Sequence, residues 1–267
     1  ALDVHHVGPS ACVLFVSRGP AVTTTIAEDL LMDLVKDGIV TTTAEALLGS
    51  VLWCELREAA SAMVDEAAPS RWLIDLARTG APQPTIKQAK KPYLVRLLSD
   101  WPVYDSASIW GRVAEAERIQ DLAWRYLPAP PHVNAWNLWL TVPSQAPPSD
   151  SQLWHRDVDD RSIFKVFLYL TDVTAAAGPL TYLPGTHAGR NGVCPETTHD
   201  YANIPRATDA QMAAVAAPTE WIVATGHVGT ATIVDTSGWH KGGHGTVERL
   251  VFTAMYTTHR DLGYFGR

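Results

Sequence analysis

The chain has 267 residues, 46% of them hydrophobic and 18% charged, with 21 Lys and Arg against 28 Asp and Glu for a formal net charge of −7. This balance argues against a disordered chain, against the basic face that non-specific nucleic-acid binding requires, and, with no apolar run near the roughly 18 residues of a span, against a membrane protein. Three widely spaced cysteines, Cys12, Cys54 and Cys194, make neither a disulfide framework nor a zinc cluster and point to a reducing, cytoplasmic setting.

In chain order, the apolar piece Ala11–Val16 lacks a basic flank and is not read as a signal peptide. Thr25–Gly38 places Ile26, Leu30, Leu31, Leu34 and Val35 on one stripe, and Gly38 ends it as helix-terminal glycines do. Thr43–Val64 repeats the pattern behind a Thr43 N-cap. A short helix is expected over Ala68–Thr79, a proline- and lysine-bearing loop over Gly80–Pro92, and a further amphipathic helix over Trp110–Tyr126.

Pro128, Pro130 and Pro131 end the helical half. Strands are then expected at Asn134–Val142, Leu153–Asp157, Ile163–Thr171, Leu180–Leu183, Thr230–Asp235 and Glu248–Thr257. One helical insertion, Asp209–Ala217, interrupts them. Helices followed by many short strands indicate an α+β fold. With no repeat and no long linker, one domain is expected: residues 1–128 as helical support and 129–267 as a β-sandwich or barrel.

The chemistry concentrates at Trp154-His155-Arg156-Asp157. On an extended chain residues i and i+2 share a face, so His155 and Asp157 project together. One imidazole and one carboxylate suit a divalent metal such as Fe(II), with a third ligand still to come. His-x-Asp triplets arise by chance roughly 0.7 times in such a chain, so context must decide. The second copy, His259-Arg260-Asp261, has no strand after it and is set aside as tail.

The first copy is followed by the apolar strand Phe164–Leu170, Asp172, a Gly178-Pro179 turn, Pro184-Gly185-Thr186-His187, and Trp239-His240-Lys241-Gly242-Gly243 before Arg249. Arg249 shares a strand face with Val251, Thr253 and Met255, and a buried-facing guanidinium needs an anionic partner such as a small dicarboxylate. In this order the chain resembles the phytanoyl-CoA dioxygenase-like family of Fe(II)- and 2-oxoglutarate-dependent oxygenases. The likeness runs over about residues 134–257, with Asp37-Gly38-Ile39-Val40 similar to an early family stretch.

The resemblance implies a double-stranded β-helix, a jelly-roll core of the cupin kind, with buttressing N-terminal helices. It implies His155, Asp157 and His240 as iron ligands. His240 is preferred to His244 because it matches the family's form and leaves eight residues before Arg249. Arg249 would bind the distal carboxylate of 2-oxoglutarate and Asn137 would touch the same cosubstrate. Gly242 stands where the family commonly has Ser or Thr, so one cosubstrate contact is lost or replaced. His187 is read as structural. Trp154 and Trp239, with Trp136 and Trp139, are candidates for an apolar substrate wall. Lys87, Lys90 and Lys91 are a basic run at the mouth, and Thr197–Pro218 an insertion of the kind that serves as a lid.

The implied activity consumes O2 and 2-oxoglutarate, releases succinate and CO2, and hydroxylates, desaturates or cyclises a small molecule of the sort met in secondary metabolism. The carboxylate of Asp157 favours hydroxylation over halogenation. Two other readings of the same residues stay open: a non-oxidative metal enzyme on a cupin-like barrel, and a non-catalytic jelly-roll binding protein.

Overall fold

A computed structural model describes residues 23–81, 91–187, 192–200 and 203–260. Cys12, the stretch 11–16, Lys87 and Lys90 lie outside them. Helix α1 (Thr23–Asp37) ends as its sequence requires: Gly38 takes φ +80° and its N–H donates to Leu34 O. A side chain at Gly38 would also collide with the His187 ring and the Tyr182 hydroxyl, so glycine is required there twice over. The chain turns into β1 (Ile39–Thr43), and Thr43 caps α2 (Ala44–Val64) by accepting from Ala46 N at 3.0 Å. Gly49 kinks α2 with φ +75°.

Then come α3 (Arg71–Arg78), β2 (Leu94–Arg96), α4 (Ile109–Ala114) and α5 (Glu117–Tyr126). The single helix expected over 110–126 is thus two, broken at Glu115 and Ala116; of the residues expected inward, Val113, Ile119, Ala123 and Leu127 are buried and Ala116, at the break, is half-buried. The first half is also not purely helical, since it contributes the strands β1 and β2.

The second half supplies β3 (His132–Thr141), β4 (Phe164–Tyr169), β5 (Leu180–Tyr182), β6 (Thr198–His199), β7 (Pro205–Arg206), helix α6 (Asp209–Ala213), β8 (Ile222–Val223), β9 (Thr230–Asp235), β10 (His240–Gly242) and β11 (Arg249–Thr257). The major sheet runs β1-β9-β4-β11-β3-β2, with β1 and β2 at its edges, and a minor sheet runs β10-β5-β8. The named pairs are antiparallel. This mixed architecture carries the expected jelly-roll core of two antiparallel sheets.

Period-2 alternation sorts the major sheet's faces. On β4, Phe164, Val166 and Leu168 are fully buried and join Leu34, Leu56 and Ile119 of the helices in one cluster. Lys165, Phe167 and Tyr169 point the other way and line a cavity of about 510 Å³. The strand expected over Leu153–Asp157 is not regular: it pairs only through Trp154 with Ala207 and His155 with His240. Its backbone is consumed by those two bridges and by Asp157 N donating to Thr236 O, which leaves no continuous ladder.

Candidate metal centre

Two segments meet at the cavity's polar end. His155 and His240 face each other across an antiparallel bridge, donating N–H to each other's carbonyl at 2.8 and 2.9 Å. That pairing stacks the two imidazoles with ring centroids 4.2 Å apart. Two residues on, Asp157 projects to the same side, its Oδ1 3.7 Å from His155 Nε2 and its Oδ2 3.8 Å from His240 Nε2. The three candidate donor atoms all lie within 4.8 Å of one another.

Each imidazole is oriented by its own segment. His155 Nδ1 sits 2.8 Å from Leu153 O and His240 Nδ1 2.9 Å from Gly238 O. A carbonyl only accepts, so each Nδ1 carries the proton and each Nε2 turns a lone pair toward the shared space. Burial, and then the neighbouring His240, hold His155 well below the ordinary histidine pKa; burial lowers His240 likewise. Burial alone would raise the Asp157 pKa, but the Lys165 ammonium beside it holds it well below the usual carboxylate range. The centre is therefore two neutral imidazoles and one carboxylate.

The loop that delivers His240 is fixed by Asp235, fully buried at the end of β9. Its Oδ1 accepts from Ile163 N at 3.0 Å and Ser237 N at 2.9 Å, and its Oδ2 from the Tyr126 hydroxyl at 2.7 Å. Gly178 and Gly243 pack backbone to backbone, and Gly243 N donates to Pro179 O at 2.9 Å. This is the physical reason for the Gly-Pro turn and the paired glycines after His240. His244 is exposed, with Nε2 near Ala146 O, and takes no part.

Arg249 opens β11 on the cavity wall. Its guanidinium donates to Gly178 O and lies 3.4 Å from Thr141 Oγ1, while its buried Nε has no partner. Burial lowers its pKa from the ordinary arginine value, and among the described residues no carboxylate pairs with it. Asn137 also lines the cavity, but its amide is engaged: Nδ2 donates to Ser99 O at 2.9 Å and Oδ1 lies 3.4 Å from Leu98 N.

Trp154 and Trp239 do not form the substrate wall expected of them. Each directly precedes a ligand-candidate histidine, so on extended chain each points to the opposite side. Both are buried in a separate cluster with Leu183, Ala207, Met212 and Ala216, where Trp154 Nε1 donates to Asp209 Oδ1 at 2.8 Å and Trp239 Nε1 to Val193 O at 3.2 Å. The cavity wall is instead built on Trp139 of β3, whereas Trp136, on the strand's other face, is buried in the cluster shared with the helices. His187 sits buried beneath Gly38 with Nε2 3.2 Å from Val35 O, a packing role. The 197–218 insertion contributes Ile204 and Arg206 to the wall.

Several cavity residues escaped the sequence reading. Lys165 Nζ lies 2.5 Å from Asp157 Oδ2. Arg206 pairs with Asp200 at 2.8 Å and with Asp150 at 3.5 Å, and Lys91, which the sequence reading did name in its basic run, pairs with Asp150 at 3.1 Å. Arg96 pairs with Asp100 at 3.4 Å and lies 5.3 Å over the Trp139 ring. Tyr93, pushed up to about 12 by burial, holds Ser151 Oγ at 3.0 Å. A signal was available for Lys165, the one charge inside the apolar strand Phe164–Tyr169. For the others, no local pattern tells an inward charge from a solvated one.

Fold and site together describe a jelly-roll with two histidines and one carboxylate on the wall of a largely apolar cavity. A family model for phytanoyl-CoA dioxygenase (PhyH) matches residues 54–246, and the chain belongs to that family. No curated protein matches the chain in sequence. Among solved structures, the epimerase SnoN from nogalamycin biosynthesis, in complex with Fe3+, alpha ketoglutarate and nogalamycin RO, is 19% identical over 89% of this chain and 87% of its own, with a TM-score of 0.54. EctD from S. alaskensis, solved with 2-oxoglutarate and 5-hydroxyectoine, is 16% identical over 90% of this chain and 78% of its own (TM-score 0.55). EvdO2 from Micromonospora carbonacea var. aurantiaca is 15% identical over 90% and 97% (TM-score 0.55). At these identities the likeness is one of fold.

Proposed function

We propose that the protein is an Fe(II)- and 2-oxoglutarate-dependent oxygenase that hydroxylates a small molecule. The observation that carries this reading is the joint presence, on one cavity, of the His155–Asp157–His240 cluster and an arginine, Arg249, with no carboxylate of its own. The donor set suits a ferrous ion: two neutral imidazole nitrogens and one carboxylate, with room for further ligands. Arg249 suits the far carboxylate of a dicarboxylate keto acid, for which its guanidinium is the natural partner.

In this reading His155, Asp157 and His240 hold the metal, and their Nδ1 and backbone tethers keep the imidazoles aimed. Bound iron with 2-oxoglutarate supplies the activation of O2. Arg249 and Thr141 bind the distal carboxylate, with Tyr93 and Ser151 as nearby hydroxyls in place of the serine or threonine that Gly242 replaces. Asn137 serves the site by holding the 98–99 backbone against β3. Trp139 presents an apolar wall for the substrate.

Hydroxylation is the outcome proposed; the fold relatives include an epimerase and a carbocyclase, so desaturation or ring closure stand beside it. Anaerobic titration of the protein with Fe(II) and then 2-oxoglutarate tests the reading. A stoichiometric ferrous site and a visible charge-transfer band on adding the keto acid are expected. Stoichiometric metal binding with no band and no oxygen-dependent succinate release would favour a non-oxidative metal enzyme instead; no stoichiometric metal would favour a binding protein.

A further inference from the structure

Lys165 is the least expected residue in the cavity. Strand β4 otherwise alternates apolar side chains on both faces, with Phe167 and Tyr169 following Lys165 on the cavity side. Lys165 places Nζ 2.5 Å from Asp157 Oδ2, and the two side chains are only 21% and 18% exposed. Lysine is among the residues least often buried, and a buried ammonium is tolerated only when paired. Asp157 is the only carboxylate within ion-pair distance of it among the described residues.

The two oxygens of Asp157 are thereby made unequal. Oδ2 accepts from the ammonium. Oδ1, 3.7 Å from His155 Nε2, has no cation within hydrogen-bond reach. A carboxylate free at both oxygens can chelate a metal through both; one whose second oxygen holds a lysine donates through one. Charge follows the same logic. With neutral imidazoles, Asp157 alone gives the donor set one negative charge, and Lys165 cancels it. At separations of this size such a charge is felt strongly in a partly buried site. A divalent cation alone then meets a neutral cluster, and a dianionic keto acid arriving beside it is favoured.

We propose that Lys165 is a positioning residue that reserves one oxygen of Asp157, so that the centre binds Fe(II) weakly alone and tightly with 2-oxoglutarate. This rests on the oxygenase reading above. The bland alternative is an ion pair that merely offsets the burial of a lysine. It predicts a change in stability with no change in the binding constants.

The test is anaerobic titration of the wild type, Lys165→Met and Lys165→Arg, first with Fe(II) against a chromophoric chelator and then with 2-oxoglutarate followed by its charge-transfer band. Circular dichroism checks the fold, and Lys165→Gln carries the same expectation where Lys165→Met does not fold. In Lys165→Met, Fe(II) alone is expected to bind at least threefold more tightly and 2-oxoglutarate at least tenfold more weakly. The band is expected to shift. Lys165→Arg, which keeps the cation, is expected within threefold of wild type for both. If the two constants in a folded neutral variant stay within twofold of wild type, or move in the same direction, the assignment is overturned while the oxygenase reading stands. A wild-type protein that binds no Fe(II) overturns the oxygenase reading and this assignment with it.

Discussion

Arg249 brings a positive charge to the cavity wall and, among the described residues, hydrogen-bonds only to Gly178 O and Thr141 Oγ1. Charge-assisted hydrogen bonds contribute about 1.5–3 kcal/mol each, so Arg249→Leu should raise the apparent KM for 2-oxoglutarate about 10- to 100-fold. Steady-state succinate release against keto-acid concentration measures it, and an unchanged KM removes Arg249 from this role. The buried histidines make a second prediction. His155 and His240 titrate below the ordinary value in the fold. Below about pH 6.5 the unfolded chain therefore binds protons that the folded one refuses, and stability falls as pH falls. Asp157, lowered in the fold, adds loss in the same direction at still lower pH. Urea denaturation of the metal-free protein from pH 7.5 to 5.5 should show a falling midpoint, and His240→Ala should flatten it. At this scale the sequence was most legible. His155, Asp157 and Arg249 could be singled out because an i, i+2 pair and strand phase fix direction, whereas His240 came only from the resemblance to the family. Lys165 was missed because its meaning depends on a partner on another segment.

The ligand segments are short, and neither is held by a long ladder. His155 and His240 belong to stretches whose pairing is two isolated bridges or three paired residues. What secures them is the tryptophan before each, driven into the cluster around Met212. These indoles act as pegs on the side away from the metal. Trp239→Ala should cost about 3–5 kcal/mol, as large-to-small changes at buried aromatics do, and should weaken Fe(II) binding although Trp239 touches no ligand atom. Equilibrium urea unfolding and metal titration of the same variant measure both. Elements of five or more residues with clear period were readable: Thr230–Asp235 and Arg249–Thr257 lie where alternation puts them. In the minor sheet Leu180–Tyr182 was read, within Leu180–Leu183, but Ile222–Val223 and His240–Gly242 were not, because a period cannot be seen in so few positions. The strand misplaced at Leu153–Asp157 shares that cause: its residues are extended, but their partners lie far along the chain.

The helical half and the major sheet share one hydrophobic cluster that runs from Leu34 to Tyr256. No helix among the described residues is long and apolar enough to cross a membrane. Because the proposed metal ligands come from different segments of this body, ligand binding and folding should be linked. A metal held by the native state alone stabilises by about 2.7 kcal/mol at a hundredfold excess over its Kd. Adding Fe(II) or Mn(II) with 2-oxoglutarate under nitrogen should raise the melting temperature by several degrees, roughly 2–4 °C per kcal/mol for a chain near this size. A chelator should reverse it.

The Tyr126 hydroxyl, at the last residue of α5, reaches across to Asp235, the residue that also gathers the backbone on which His240 is carried. A support helix is thus wired to the reactive end of the cavity through a single phenol. Tyr126→Phe keeps the ring among its neighbours yet frees one oxygen of a buried carboxylate, so its first symptom should be a leaky metal site in a molecule that still melts as a unit. On the proposed reading the helices belong to the scaffold of the metal centre, and a change as distant from it as Tyr126→Phe should retune it.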